Sequence, residues 1–224
     1  MPAWFTVKSN PPLQLSEIFY SIQGESSYSG YPCVFIRLVG CNLRCSYCDA
    51  RYACEEPGKE ISRPRIMEEI TAHPNALVEI TGGEPLLQDG VYPLMHELLK
   101  SRRTVLLETN GSIDISQVPE GVVKIIDMKC PDSGMMDRML FGNLDRVTRQ
   151  DEIKFVLSSG KDYQWATEVI REYRLEERAK LLLSPVSGRL SPGALAEWLL
   201  ADGLKARLQI QLHAIIWPGK TRGF

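Results

Sequence analysis

The stretch Gly40-Cys41-Asn42-Leu43-Arg44-Cys45-Ser46-Tyr47-Cys48 puts three cysteines within eight residues. In a reducing compartment such crowding reads as metal or redox chemistry before it reads as disulfides. Thiolates are soft ligands that select zinc, copper(I) or iron–sulfur clusters. A structural zinc site takes four protein ligands, and ordinary clusters take four thiolates. Three thiolates therefore leave one metal position open, and an open position can do chemistry. Cys54, six residues after Cys48, keeps a second reading in play, in which it closes a four-cysteine site. Cys33 and Cys130 read as small core residues.

Around this loop, β-rich runs alternate with helical patterns. Strands are expected at Cys33–Leu38, Ala76–Thr81, Thr104–Asn110, Val122–Lys129, Ile153–Leu157, Lys180–Ser184 and Arg207–His213. Helices are expected near Pro64–Ala72, Val91–Ser101, Asp162–Tyr173 and Pro192–Ala201, with Pro64 and Pro192 where a first turn tolerates proline. Such alternation points to βα units around a parallel sheet. At 224 residues the chain is shorter than the roughly 250 of a complete eight-stranded barrel. The expected fold is α/β, a partial, open (β/α) barrel. No repeat or linker-like tract divides residues 1–224, so one domain is expected, with its metal chemistry in loop 40–54.

Side chains alternate faces along a strand. In the last expected strand Arg207, Gln209, Gln211 and His213 share one face, and Leu208, Ile210 and Leu212 the other. Leu77, Glu79 and Thr81 oppose Ala76, Val78 and Ile80, while Glu152 and Lys154 oppose Ile153, Phe155 and Leu157. A closed barrel fills its interior with branched apolar side chains. Here apolar faces can pack on helices, leaving polar faces to line a water- or ligand-filled cavity. An antiparallel sheet with one wet face is the competing arrangement.

Composition narrows the class. Hydrophobic residues at 44% and charged residues at 24% are globular values that exclude disorder. Acidic residues outnumber basic ones, 28 to 26, which gives no reason to expect nucleic-acid or membrane binding. No apolar run approaches the roughly 18 residues of a bilayer span. Met1-Pro2-Ala3-Trp4 has no signal-peptide pattern, so a cytoplasmic location is expected.

Polar clusters recur at strand ends, where α/β barrels concentrate function. Thr81-Gly82-Gly83-Glu84-Pro85 offers backbone for close approach to a ligand. Glu108-Thr109-Asn110-Gly111, Asp127-Met128-Lys129-Cys130-Pro131 and Ser184-Pro185 end later strands. Phe19-Tyr20-Ser21-Ile22-Gln23-Gly24-Glu25, before the first expected strand, reads in isolation as an exposed loop. Arg37, inside the apolar run Val34–Val39, needs an acidic partner, protein or ligand. His213 is the one histidine on the polar face of an expected strand.

These residues resemble the radical S-adenosylmethionine enzymes, whose signature is a C-x3-C-x2-C loop with an aromatic before the last cysteine, here Cys41, Cys45, Tyr47 and Cys48. Gly82-Gly83-Glu84-Pro85 looks like their methionine-binding turn. From Leu15 to Trp217 the order of motifs is similar to the 7-carboxy-7-deazaguanine synthases of queuosine biosynthesis: Ser21–Glu25, Phe35–Leu38, Thr81–Pro85, Glu108–Gly111 and Gln209–His213. The resemblance implies a homodimer of abbreviated barrels with a [4Fe–4S] cluster on Cys41, Cys45 and Cys48. The open iron would chelate S-adenosylmethionine, and a 5′-deoxyadenosyl radical would take hydrogen from C6 of 6-carboxy-5,6,7,8-tetrahydropterin. Ring contraction with loss of ammonia would give 7-carboxy-7-deazaguanine, the electron coming from a flavodoxin or ferredoxin.

By position, Tyr47, Asp49, Gly83, Glu84, Asp127, Lys129 and Ser184 would bind the cofactor. Ile22, Gln23, Gly24, Glu25, Arg37, Thr81 and His213 would bind the substrate, Arg37 its carboxylate, with the C-terminal carboxylate of Phe224 carried over by position alone. No residue is implied as a protein acid or base. Many members place a threonine, a Mg²⁺ ligand, where this chain has Ala50, which puts magnesium use in question. Cys54 stands where many carry tryptophan and reopens the fourth-ligand question. Two rivals remain: an enzyme that activates a glycyl-radical partner, and a non-catalytic zinc module on Cys41, Cys45, Cys48 and Cys54.

Overall fold

The computed structural model describes residues 11–223. Strand β1 (Leu13–Ile22) pairs antiparallel with β2 (Pro32–Leu38) and, on its other edge, with β3 (Lys59–Ile61), which follows the short helix α1 (Arg51–Glu55). Then come α2 (Arg63–Thr71), β4 (Leu77–Gly82), α3 (Val91–Lys100), β5 (Val105–Thr109), β6 (Val123–Met128) and β7 (Glu152–Leu157). The chain closes with α4 (Gly160–Glu172), α5 (Leu175–Arg178), β8 (Lys180–Pro185), α6 (Pro192–Asp202), β9 (Arg207–Leu208) and α7 (Leu212–Ile216). One sheet of order β3-β1-β2-β4-β5-β6-β7-β8-β9 results, parallel from β2 onward, with no pairing between its outermost strands. This is the open barrel expected, not the antiparallel alternative.

The sheet sorts side chains by face. Ile80, Leu107, Ile126, Phe155 and Leu183 are fully buried in a core they share with Leu94 and Leu98 of α3, Ala166 of α4 and Leu195 of α6. On the opposite, inner face Leu106, Val123 and Ile125 pack with Leu77 and Tyr28 into a small apolar floor. Above that floor the inner positions turn polar. The helix starts agree with their sequence: Ser191 caps α6 by accepting from the Ala194 N–H at 3.1 Å, ahead of Pro192 in the first turn.

Two expectations are corrected. The strand expected over Arg207–His213 pairs with β8 only through Arg207 and Leu208. Gln209 still donates its N–H to Leu183 O at 2.8 Å, but the edge strand then turns into α7, so His213 lies on a helix and Ile210 is exposed. Phe19–Ile22 is not a loop before the first strand but the end of β1. A register shift between Leu15 and Glu17 breaks the two-residue alternation that would have revealed that strand. Among the described residues no helix is long and apolar enough to cross a membrane.

Candidate active site

A cavity of about 480 Å³ opens at the C-terminal ends of the parallel strands, in the size range of small-molecule sites. Cys41, Cys45 and Cys48 line it from one side, and Gln23, Glu25, Arg37, Thr81 and Lys154 from another. The cysteine loop is tied down by backbone. Gly40 donates to Ala53 O at 2.8 Å, Ser46 to Ser133 O at 3.0 Å, and Cys48 to Cys45 O at 3.3 Å. Tyr47, whose hydroxyl donates to Val156 O at 3.0 Å, secures the loop to β7.

The glycine turn after β4 lies directly against this loop. Gly83 N–H donates to Leu38 O at 3.1 Å, and Glu84 N–H to Gly40 O at 2.8 Å. A Cβ on Gly83 would stand 2.6 Å from the Gly40 carbonyl carbon, so glycine is required by close approach. The Glu84 carboxylate faces inward to protein. It is fully buried and accepts from Leu86 N at 3.0 Å, Thr109 Oγ1 at 2.8 Å and Asn110 N at 2.7 Å. Burial pushes its pKa up against those three donors. Its effect on the cavity runs through Asn110, whose Nδ2 donates to Cys41 Sγ at 3.7 Å.

The donor set fits a cluster. Among the described residues no three Cys, His, Asp or Glu side chains converge as ligands of a single ion. Three thiolates that each hold a different iron of one cubane need no such convergence. Burial pushes the Cys45 and Cys48 thiols up, while Lys129 pulls both down. Leu43 N–H points at Cys41 Sγ at 3.4 Å. Cys54 also lines the cavity; burial, then the charges of Cys41 and Cys48, push its thiol up to about 12.

Deeper in, the inner face carries charge. Lys154 of β7 donates to Glu25 Oε2 at 2.8 Å and to Glu108 Oε1, and lies 3.8 Å from Asp127 Oδ2. Lys129 Nζ meets the same Asp127 oxygen at 2.7 Å, leaving Asp127 Oδ1 buried without a partner among the described residues. An acceptor so placed fits a ligand that brings its own donor. Gln23 is locked by its neighbours, with Nε2 donating to Glu79 and Oε1 accepting from Glu25 N at 2.8 Å. Burial, then the charges of Glu108 and Glu25, push the Glu79 carboxyl well up.

Of the residues singled out in the sequence, Ile22, Gln23, Gly24, Glu25, Arg37, Tyr47, Asp49, Ala50, Thr81, Gly83, Asp127, Lys129, Ser184 and His213 all line the cavity beside the three cysteines. Glu84 stands behind the wall, and Phe224 lies outside the described residues. Leu212 N–H donates to Gly24 O at 2.9 Å, and a Cβ on Gly24 would stand 3.0 Å from His213 N, so α7 seats directly on that loop. Sequence reading passed over Glu79, Lys154 and Tyr52 as site residues, and the tail residues Trp217, Gly219, Lys220 and Thr221. The polar alternation of β4 and β7 signalled the first two; nothing local signalled Tyr52 or the tail.

Comparison with known proteins agrees. Residues 35–177 match the Radical SAM superfamily. A 7-carboxy-7-deazaguanine synthase of Chlorobaculum tepidum is 43% identical over 220 residues, covering 97% of this chain and all of that protein. One from Koribacter versatilis is also 43% identical, covering 94% of this chain and all of its own. The crystal structure of QueE from Escherichia coli superposes with a TM-score of 0.75 at 25% identity, covering 90% of this chain and 95% of that one. With the cluster loop, the glycine turn and the polar cavity in one open barrel, this chain belongs to the 7-carboxy-7-deazaguanine synthase family of radical S-adenosylmethionine enzymes.

Proposed function

We propose that this chain converts 6-carboxy-5,6,7,8-tetrahydropterin to 7-carboxy-7-deazaguanine with loss of ammonia. One observation carries the reading: a single cavity joins the three cysteines to Arg37 and to the Gln23-Gly24-Glu25 turn. Cys41, Cys45 and Cys48 would hold a [4Fe–4S] cluster that, with S-adenosylmethionine bound, supplies the hydrogen-abstracting radical. Gly83 would offer backbone to the methionyl group, while Asp127, Lys129 and Ser184 would take the nucleoside end. Gln23 and Glu25 would read the donors and acceptors of the pterin edge. Arg37 would hold the carboxylate, the anion an arginine fork matches best.

Ala50 lines the cavity with no side-chain oxygen to offer, which supports a reaction independent of Mg²⁺ at that position. A cytoplasmic homodimer of this one domain, fed by a flavodoxin- or ferredoxin-type donor, is the working form proposed. The test is anaerobic incubation with carboxytetrahydropterin, S-adenosylmethionine and a reductant. A product of the mass of 7-carboxy-7-deazaguanine is expected; cofactor cleavage without that product refutes the substrate. A small acid suits Arg37 and the closed turn better than a peptide radical site would.

A further inference from the structure

Arg37 is held from several sides. Its Nε donates to Glu17 Oε1 at 3.0 Å, across the β1–β2 pairing. The same oxygen accepts the Tyr52 hydroxyl at 2.9 Å. Two rings lie against the guanidinium, Phe19 with its centroid 5.7 Å from Cζ and Tyr52 at 5.9 Å. Phe19 is itself fixed by stacking on Phe35 at 4.9 Å. An arginine bound through Nε keeps its two Nη groups as the edge with which it grips a carboxylate. Arg37 also lines the cavity that a ligand would enter.

We infer that Glu17 and Tyr52 are positioning residues for substrate recognition: they orient Arg37 so that its fork selects a pterin that bears a carboxylate. The inference rests on the substrate reading above and adds the parts that make Arg37 selective. With Nε–H taken by Glu17, the side-on grip is closed and the end-on grip through Nη1 and Nη2 is the one left for a carboxylate. The Tyr52 hydroxyl fixes which Glu17 oxygen Arg37 meets, and its phenol, pushed up to about 12 chiefly by burial, stays a donor. Without this pair Arg37 keeps its charge but loses its aim.

The test compares anaerobic binding of the carboxypterin and of the same tetrahydropterin without its carboxylate, by titration calorimetry on the cluster-loaded protein. Glu17→Ala is expected to weaken the carboxypterin roughly tenfold, about one charge-assisted hydrogen bond, and the decarboxylated analogue less than twofold. In an Arg37→Ala background Glu17→Ala should add nothing further. Tyr52→Phe, which keeps the ring, should give the same selective loss at a few-fold, and serves where Glu17→Ala fails to fold. Equal weakening of both ligands, or no weakening of either, overturns the inference. A wild type that does not prefer the carboxypterin would sink the substrate reading first.

Discussion

Gly83→Ala isolates the link between the glycine turn and the cluster loop. The added methyl would stand 2.6 Å from the carbonyl carbon of Gly40 and 3.1 Å from Cys41 Cβ. Ordinary carbon–carbon contact begins near ~3.5 Å and the Gly40 carbonyl oxygen is nearer still than its carbon, so one segment must retreat by about 1 Å or more. Two backbone hydrogen bonds lace the segments together, Gly83 N–H to Leu38 O at 3.1 Å and Glu84 N–H to Gly40 O at 2.8 Å. Overpacking costs about 1–3 kcal/mol and each stretched bond up to about 1 more. The entropy that alanine removes from the unfolded chain offsets only about 0.4–1 kcal/mol. The mid-range net of about 2–3 kcal/mol lowers the melting temperature of a chain of this length by roughly 4–12 °C. The site suffers more, because Cys41 moves with Gly40 and a misplacement near 1 Å costs about a hundredfold in rate. Anaerobic reconstitution followed by iron assay, the cluster's visible absorption and turnover should show fewer irons than the roughly four of a cubane and at least the hundredfold loss. A Gly83→Ala protein with full iron and wild-type turnover would refute the close-approach account.

Cys45→Ala should bring iron from about four per chain to near zero, whereas Cys54→Ser should keep it, as iron assay after reconstitution will report. Equal loss in both would make Cys54 a ligand. Added Mg²⁺ should change the rate of product formation by less than about twofold, given Ala50; a larger rise would mean that another oxygen ligand stands in. Lys154→Met tests the buried charges. Burial raises the Glu108 carboxyl, but Lys154, then Thr81 and Lys129, outweigh it and bring it down to about 2. A carboxyl depressed on folding stabilises above its unfolded value of about 4.3, and that stability is lost as pH falls from there through about 2. The variant should be less stable near neutrality by roughly 1–3 kcal/mol and lose less than wild type on acidification through that window, as urea titrations at several pH values will show.

The parallel half of the fold was legible because its physics is local. β4, β7 and β8 carry alternating or continuous apolar runs, and the helices on either side of that stretch, α2 before β4 and α6 after β8, announce their starts with Pro64 and Ser191-Pro192. The antiparallel strands were not. β1 hides its period behind the shift between Leu15 and Glu17, and β3 has three residues, too few to show any period. Gln209 to His213 misled for another reason. Its alternation is real, but an edge strand has no further neighbour to keep it extended, and the Leu212 N–H finds its acceptor on Gly24 instead. The same long-range effect hid Tyr52, whose importance depends on a strand 35 residues away. Glu84 shows the limit of motif transfer: the motif marks the turn correctly while its carboxylate serves Asn110, Thr109 and Leu86.

The charged interior follows from leaving the barrel open. Glu25, Glu79, Glu108 and Asp127 gather around Lys129 and Lys154 within one cavity. Lys129 and Lys154 between them meet Glu25, Glu108 and Asp127 and, among the described residues, leave one of those carboxylate oxygens over. Burying unpaired acceptors is costly, and Asp127 Oδ1 is already one of them. The imbalance is relieved by a ligand rich in N–H and O–H groups, as a reduced pterin and a ribose both are. Such a ligand should raise the melting temperature of the cluster-loaded protein more than an isosteric acceptor-rich one does. That preference is a property of the pocket before any bond is broken, because it comes from the polar faces of the strands.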